Sequence, residues 1–176
     1  AATMGAAFDL AIRFRVAPEH DPKVAWYGVA HNPSMLATVH VVIEAAREAV
    51  RAGLEGVDML GRATWALALT TGIYRVGGVR VDSPLHALIA TDRFTPEALL
   101  SLAPPDSVRQ FRDLDRLSWS RLYPHMSGPY HCGPEFEGSK YCAADADLIA
   151  DSLLLDIKTR LGTKNPKTGV RSDSLP

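Results

Sequence analysis

The residues best able to do chemistry lie together in Asp145-Ala-Asp-Leu-Ile-Ala-Asp-Ser-Leu-Leu-Leu-Asp-Ile-Lys-Thr159. Two apolar runs flank Asp151-Ser152, a two-residue turn, so the spacing predicts a tight β-hairpin. In that register Ala150 pairs with Leu153, Ile149 with Leu154, Leu148 with Leu155 and Asp147 with Asp156, while Asp145 falls opposite Lys158. Side chains two apart share a face, which places Asp156 and Lys158 together and turns Ile157 toward the core. Cross-strand partners lie about 5 Å apart at Cβ, close enough for two carboxylates to share one divalent cation. Without a cation, mutual repulsion between carboxylates directly opposite each other makes the pair costly to the hairpin. Asp145 could instead form an ion pair with Lys158; the simplest register favours Asp147 as the ligand, and a bulge or one-residue slip would exchange them.

The spacing of Asp147 and Asp156-Ile-Lys158 resembles the Asp…(Asp/Glu)-x-Lys signature of the PD-(D/E)xK nuclease superfamily. Asp156-Ile-Lys-Thr159 is similar to the Asp-x-Lys-Thr of its RecB-like exonuclease branch. Near the start, Met4-Gly-Ala-Ala-Phe-Asp-Leu-Ala-Ile-Arg-Phe14 resembles that branch's early helix motif, a Gly followed four residues later by His; Asp9 stands at the His position. The resemblance covers the hairpin and, loosely, the first helix; residues 16–140 are unmatched. It implies an α/β fold with a restriction-endonuclease-like core, a small central sheet flanked by helices and a helix-rich N-terminal half. It also implies a Mg²⁺- or Mn²⁺-dependent nuclease acting on DNA, single strands or ends foremost. Asp147, Asp156 and the backbone carbonyl of Ile157 would hold the ion, and Lys158 would orient the attacking water. A further family acid comes from a helix before the hairpin, and Glu44 and Glu48, one turn apart on an expected helix, are the candidates.

Two other readings stay open. One is a catalytically inactive nuclease-like fold serving as a nucleic-acid or protein binding module; Asp9 in place of His supports it. The other is a zinc-dependent interaction domain built on His125, His131, Cys132 and Cys142, although their spacing matches no standard finger and zinc content would decide. Glu135 and Glu137 read as an exposed acidic loop. Trp26-Tyr27, in an expected loop, could stack a base or anchor the loop.

The chain has 176 residues, enough for one domain with a real core, and an ordinary apolar content that excludes disorder throughout. A formal net charge of −1 speaks against a high-affinity, non-specific duplex binder. Residues 157–176 carry five basic side chains against Asp173 alone, a segment able to track phosphates. No apolar run reaches membrane-spanning length, no signal-peptide pattern is present and two cysteines make no disulfide framework, so a cytoplasmic location is expected. RecB-like nucleases continue past this hairpin with a helix carrying Gln and Tyr; either the chain is a fragment of a longer protein or the resemblance is partial.

The elements that must position the hairpin read mostly as helices. Residues 2–15 carry Phe8, Ala11, Ile12 and Arg15 at helical spacing. Asn32-Pro33 starts a helix to Gly53 with Leu36, Val39, Ile43, Ala46 and Val50 on one face. A further helix spans residues 58–71 and ends by Gly77-Gly78. Val79 to Asp82 reads as a short strand, Thr95 caps a helix through Leu102, and Pro104-Pro105 opens another with Val108, Phe111, Leu114 and Leu117 inward. Trp65 and Trp119 read as core residues, and residues 18–33 and 123–140 as loops.

Overall fold

The computed structural model describes residues 2–133 and 147–155. Seven helices come first: α1 (Ala2–Val16), α2 (Lys23–Tyr27), α3 (Pro33–Arg51), α4 (Val57–Val76), α5 (Pro84–Ala90), α6 (Pro96–Ser101) and α7 (Pro105–Arg121). A 3₁₀ turn at Tyr123–His125 leads to three short strands, β1 (Tyr130–Cys132), β2 (Leu148–Ala150) and β3 (Leu153–Leu155). The architecture is mixed α/β, helix-rich, with a three-stranded antiparallel sheet in the order β1-β2-β3. No described helix is long and apolar enough to cross a membrane.

Helix α4 is the hub, packed by α1, α2, α3, α6 and α7. Its buried positions run almost all round: Val57, Leu60, Ala63, Ala66, Leu67 and Ile73 among them. A helix covered on every side cannot leave a polar group unpaired, and its buried threonines bond back to their own helix. Thr64 Oγ1 donates to the Leu60 carbonyl at 2.8 Å and Thr70 Oγ1 to that of Leu67 at 3.0 Å. Close packing needs small residues at the crossings. A Cβ on Gly56 would lie 2.0 Å from the Ala49 carbonyl oxygen, and one on Gly61 2.8 Å from the Phe111 ring, so α3 and α7 press on α4 where it lacks a side chain.

Three helices begin with a polar residue before Pro, the pattern that satisfies orphan N–H groups and fixes the first helical φ. Asn32 accepts from the Met35 amide, Thr95 from Ala98 and Ser83 from Leu85. The last of these opens α5, preceded by turn residues rather than the strand expected at Val79–Asp82. The expected loop 18–33 contains α2, and the expected loop 123–140 contains β1.

Helix α7 differs in phase from its hydrophobic pattern. Val108 and Phe111 point inward as expected, but Asp115 and Ser118 continue that face, while Leu117 and Trp119 are about half exposed. The cause is an ion pair: Arg15 Nε on α1 donates to Asp115 Oδ1 at 2.7 Å, and this contact sets which face of α7 meets α1.

Candidate active site

The hairpin adopts the register its spacing dictates. Leu148 pairs with Leu155, Ile149 with Leu154 and Ala150 with Leu153 across a turn at Asp151-Ser152. Asp151 takes φ +52°, the left-handed conformation that Asp tolerates and a two-residue hairpin turn requires. Leu148 and Ala150 are buried; Leu154 is exposed on the opposite face, opposite the half-buried Ile149. Strand β1 lies along the other side of β2, with Cys132 opposite Leu148 and Tyr130 opposite Ala150. It fixes both ends of β2: the Gly133 amide donates to the Asp147 carbonyl at 3.0 Å, and the Asp151 amide to that of Pro129 at 3.0 Å. Asp147 therefore sits at the anchored N-terminal end of β2.

Helix α1 supplies what faces it. Asp9 and Arg13 lie one turn apart on one face, the spacing at which an acid and a base pair best. Arg13 Nε donates to Asp9 Oδ1 at 3.0 Å, and its Nη2 lies 2.9 Å from Asp9 Oδ2. The same Nη2 donates to Asp147 Oδ1 at 3.3 Å, so one guanidinium bridges a helix carboxylate and a strand carboxylate. All three side chains are partly buried. Burial pushes the Asp9 carboxyl up to about 6, against the attraction of Arg13 and with a smaller push from Asp147. Desolvation thus outweighs a good ion pair at this position.

The cluster adjoins a cleft of about 710 Å³ lined by Glu19, His20, Tyr130, His131, Cys132 and Ile149 among others. The charge of Arg13 acts on both His20 and Cys132, two residues of its wall. Burial pushes the Cys132 thiol up, with the charge of Arg13 opposing. His20 is lowered to about 4 by burial, by Arg13 and by Arg47, with Asp21 opposing. The folded state therefore holds neutral imidazole. Its contribution to stability is complete above the unfolded-state value near 6.5 and is lost as pH falls toward 4. Because the ring is partly exposed, the expected loss over that window is about 1–2 kcal/mol. His20→Gln should flatten the pH dependence of chemical denaturation between pH 6.5 and 4; a variant curve that still parallels the parent's would assign the acid sensitivity to other groups.

The remaining sequence candidates are placed as follows. Glu44 and Glu48 are exposed on α3; Glu44 pairs with Arg47, whose guanidinium also donates to the carbonyls of Pro18 and His20. Glu44, through Arg47, lies against residues 18–20 on one side of the cleft, and the helix carboxylate whose charge meets that of Asp147 is Asp9. Asp156, Ile157 and Lys158 lie outside the described residues, as do Cys142, Glu135 and Glu137. Among the described residues no three His, Cys, Asp or Glu side chains gather to hold a metal. Arg13 was not singled out from the sequence, although its i, i+4 spacing from Asp9 was a signal. No family model, no curated protein and no solved structure matches the chain.

Within the described residues, the arrangement is chemically a pair of carboxylates from different elements, bridged by one guanidinium beside a cleft. Carboxylate oxygens are hard donors suited to Mg²⁺ or Mn²⁺, and Arg13 is suited to a phosphate oxygen.

Proposed function

We propose that the protein is a Mg²⁺- or Mn²⁺-dependent phosphodiesterase acting on DNA, built on a helix-rich variant of the restriction-endonuclease-like core. The observation that carries this reading is the meeting of Asp9 and Asp147 across Arg13. By the sequence resemblance Asp9 would stand for the early-helix histidine of the RecB-like branch and Asp147 for its first hairpin acid, and both are bonded by Arg13. The hairpin register supports it too, since Leu148 opposite Leu155 is the pairing from which the Asp147–Asp156 apposition was expected.

In this reading Asp147, Asp156 and the Ile157 carbonyl would hold the ion, and the donor chemistry fits, since all are hard oxygens. The chemistry a bound Mg²⁺ or Mn²⁺ supplies is polarisation of the phosphodiester and a lower pKa for the attacking water. Lys158 orients that water. Asp9 takes the part of the helix acid for which Glu44 and Glu48 were candidates. Arg13 offsets phosphate charge from beside Asp147.

One observation favours the second reading, an inactive nuclease-like fold used as a nucleic-acid or protein binding module: Arg13 already supplies a positive charge between the carboxylates. Cleavage of end-labelled single- and double-stranded DNA in Mg²⁺, Mn²⁺ or EDTA separates the two. The expected result is metal-dependent cutting that Lys158→Ala lowers by about a hundredfold, the scale for removing one transition-state charge partner. A folded parent chain that cuts nothing in either metal would leave the binding module.

A further inference from the structure

Beside the cluster, α2 and the end of α4 expose a group of aromatic rings. Tyr27 and Tyr74 meet edge to face with centroids 5.7 Å apart, and they are 61% and 51% exposed. Behind them Trp26 is half-buried, tilted 36° to Tyr27 at 5.6 Å and lying 6.0 Å from the His40 ring. Its indole N–H donates to Asp21 at 2.8 Å, which fixes the ring. The backbones are pressed together as well: a Cβ on Gly28 would lie 2.7 Å from the Tyr74 amide nitrogen. Two exposed tyrosines on so rigid a base are not needed to close the core, which lies on the other faces of α2 and α4.

Apart from Asp21, which the Trp26 indole holds, the sequence around them is free of acids. From Pro22 to Ile43, and again from Met59 to Val81, the sequence has no Asp or Glu, in a chain whose acids outnumber its Lys and Arg. Lys23 and Arg75 stand in these stretches next to the rings, both exposed. Helix α4, which carries Tyr74 and Arg75, packs on α1, which carries Asp9 and Arg13, and the charge of Arg75 is felt at the Asp9 carboxylate.

We infer that Tyr27 and Tyr74, flanked by Lys23 and Arg75, form a stacking platform that holds single-stranded nucleic acid and leads its backbone toward the Asp9–Arg13–Asp147 cluster. Flat rings stack on any base, and flanking cations follow the phosphates, so such a platform binds strands with little sequence preference. The choice of nucleic acid as occupant rests on the phosphodiesterase reading. The platform fits that reading because a strand lying across it would have its phosphates beside the exposed Arg75, on the helix that packs against α1.

The test is fluorescence anisotropy of labelled oligo(dT) and oligo(dA) with the full chain in EDTA, where binding is read without cutting. The parent should bind both. Tyr27→Ala and Tyr74→Ala should each weaken binding about tenfold, and Tyr74→Phe, which keeps the ring, should restore it. Arg75→Ala, a surface change that spares the fold, should weaken binding and lower the salt slope by about one. A parent that binds no oligonucleotide at low salt overturns the platform, as do alanine variants that bind like the parent. So does sedimentation with phosphatidylserine vesicles in place of oligonucleotide binding, which would make this a membrane-facing patch. The two readings fail separately: tyrosine-dependent binding without cutting in Mg²⁺ or Mn²⁺ sinks only the phosphodiesterase, and cutting with tyrosine-independent binding sinks only the platform.

Discussion

Asp115→Ala is expected to destabilise the protein by about 3–5 kcal/mol, the scale for stranding one member of a buried ion pair. Arg15 and Asp115 expose only 6% and 4% of their side chains, and Arg15 Nε bonds Asp115 Oδ1 at 2.7 Å. The Trp119 ring lies 5.5 Å from the guanidinium carbon and covers it. Arg15 Nη2 is itself buried, with no hydrogen-bond partner among the described residues, so the guanidinium is only partly compensated even in the parent. Removing Asp115 leaves a full charge where water reaches poorly. Replacing both partners, Arg15→Met with Asp115→Leu, removes the charge and fills the space, and should recover most of the loss. Urea unfolding of the parent, the single variant and the double variant checks this through the midpoint at constant slope. A single variant within about 1 kcal/mol of the parent would mean that the pair behaves like a surface contact. The consequence reaches the candidate site, because the same helix that presents Arg15 to α7 presents Asp9 and Arg13 to β2.

That pair also explains where the sequence misled. Leu117 and Trp119 read as inward because they are apolar, yet Asp115 holds the inward position and turns them out. A charge paired across a hundred residues of sequence leaves no local trace. Strand β1 was hidden for a related reason: three residues between Gly128-Pro129 and Gly133 look like loop until the far side of β2 provides a partner. Helix α5 was legible and was missed, since Ser83-Pro84 repeats the cap that correctly located α3 and α6. The hairpin was readable in full over its described residues because a short turn between two apolar runs admits few registers, and one residue of slip would have exposed Leu148. Within the candidate site, the spacing singled out Asp147, whereas the link of Arg13 to Asp147 became visible only once α1 was set against β2, a contact between residues 134 apart in sequence.

Asp147→Asn is the substitution expected to act most strongly on the proposed activity, lowering metal-dependent cleavage by about a thousandfold while leaving the fold intact. The reasoning turns on what Asp147 does in each reading. Its contact with Arg13, at 3.3 Å, is long and partly exposed, and the loss of that contact alone should matter by about 1 kcal/mol or less, since Arg13 keeps the shorter contact to Asp9. As a metal ligand it supplies a charged oxygen that an amide replaces poorly. The two roles therefore separate: a small shift in the unfolding midpoint beside a large loss of cutting supports the ligand role, and an unchanged cutting rate rejects it. Arg13→Met approaches the same question without activity. It takes the bridging cation from Asp9 and Asp147, so the variant should be less stable in EDTA than the parent and should gain more in melting temperature from Mn²⁺. Equal gains in parent and variant would mean that the guanidinium and the ion do not meet the same carboxylates, and Arg13 would then be a strut holding α1 to the hairpin.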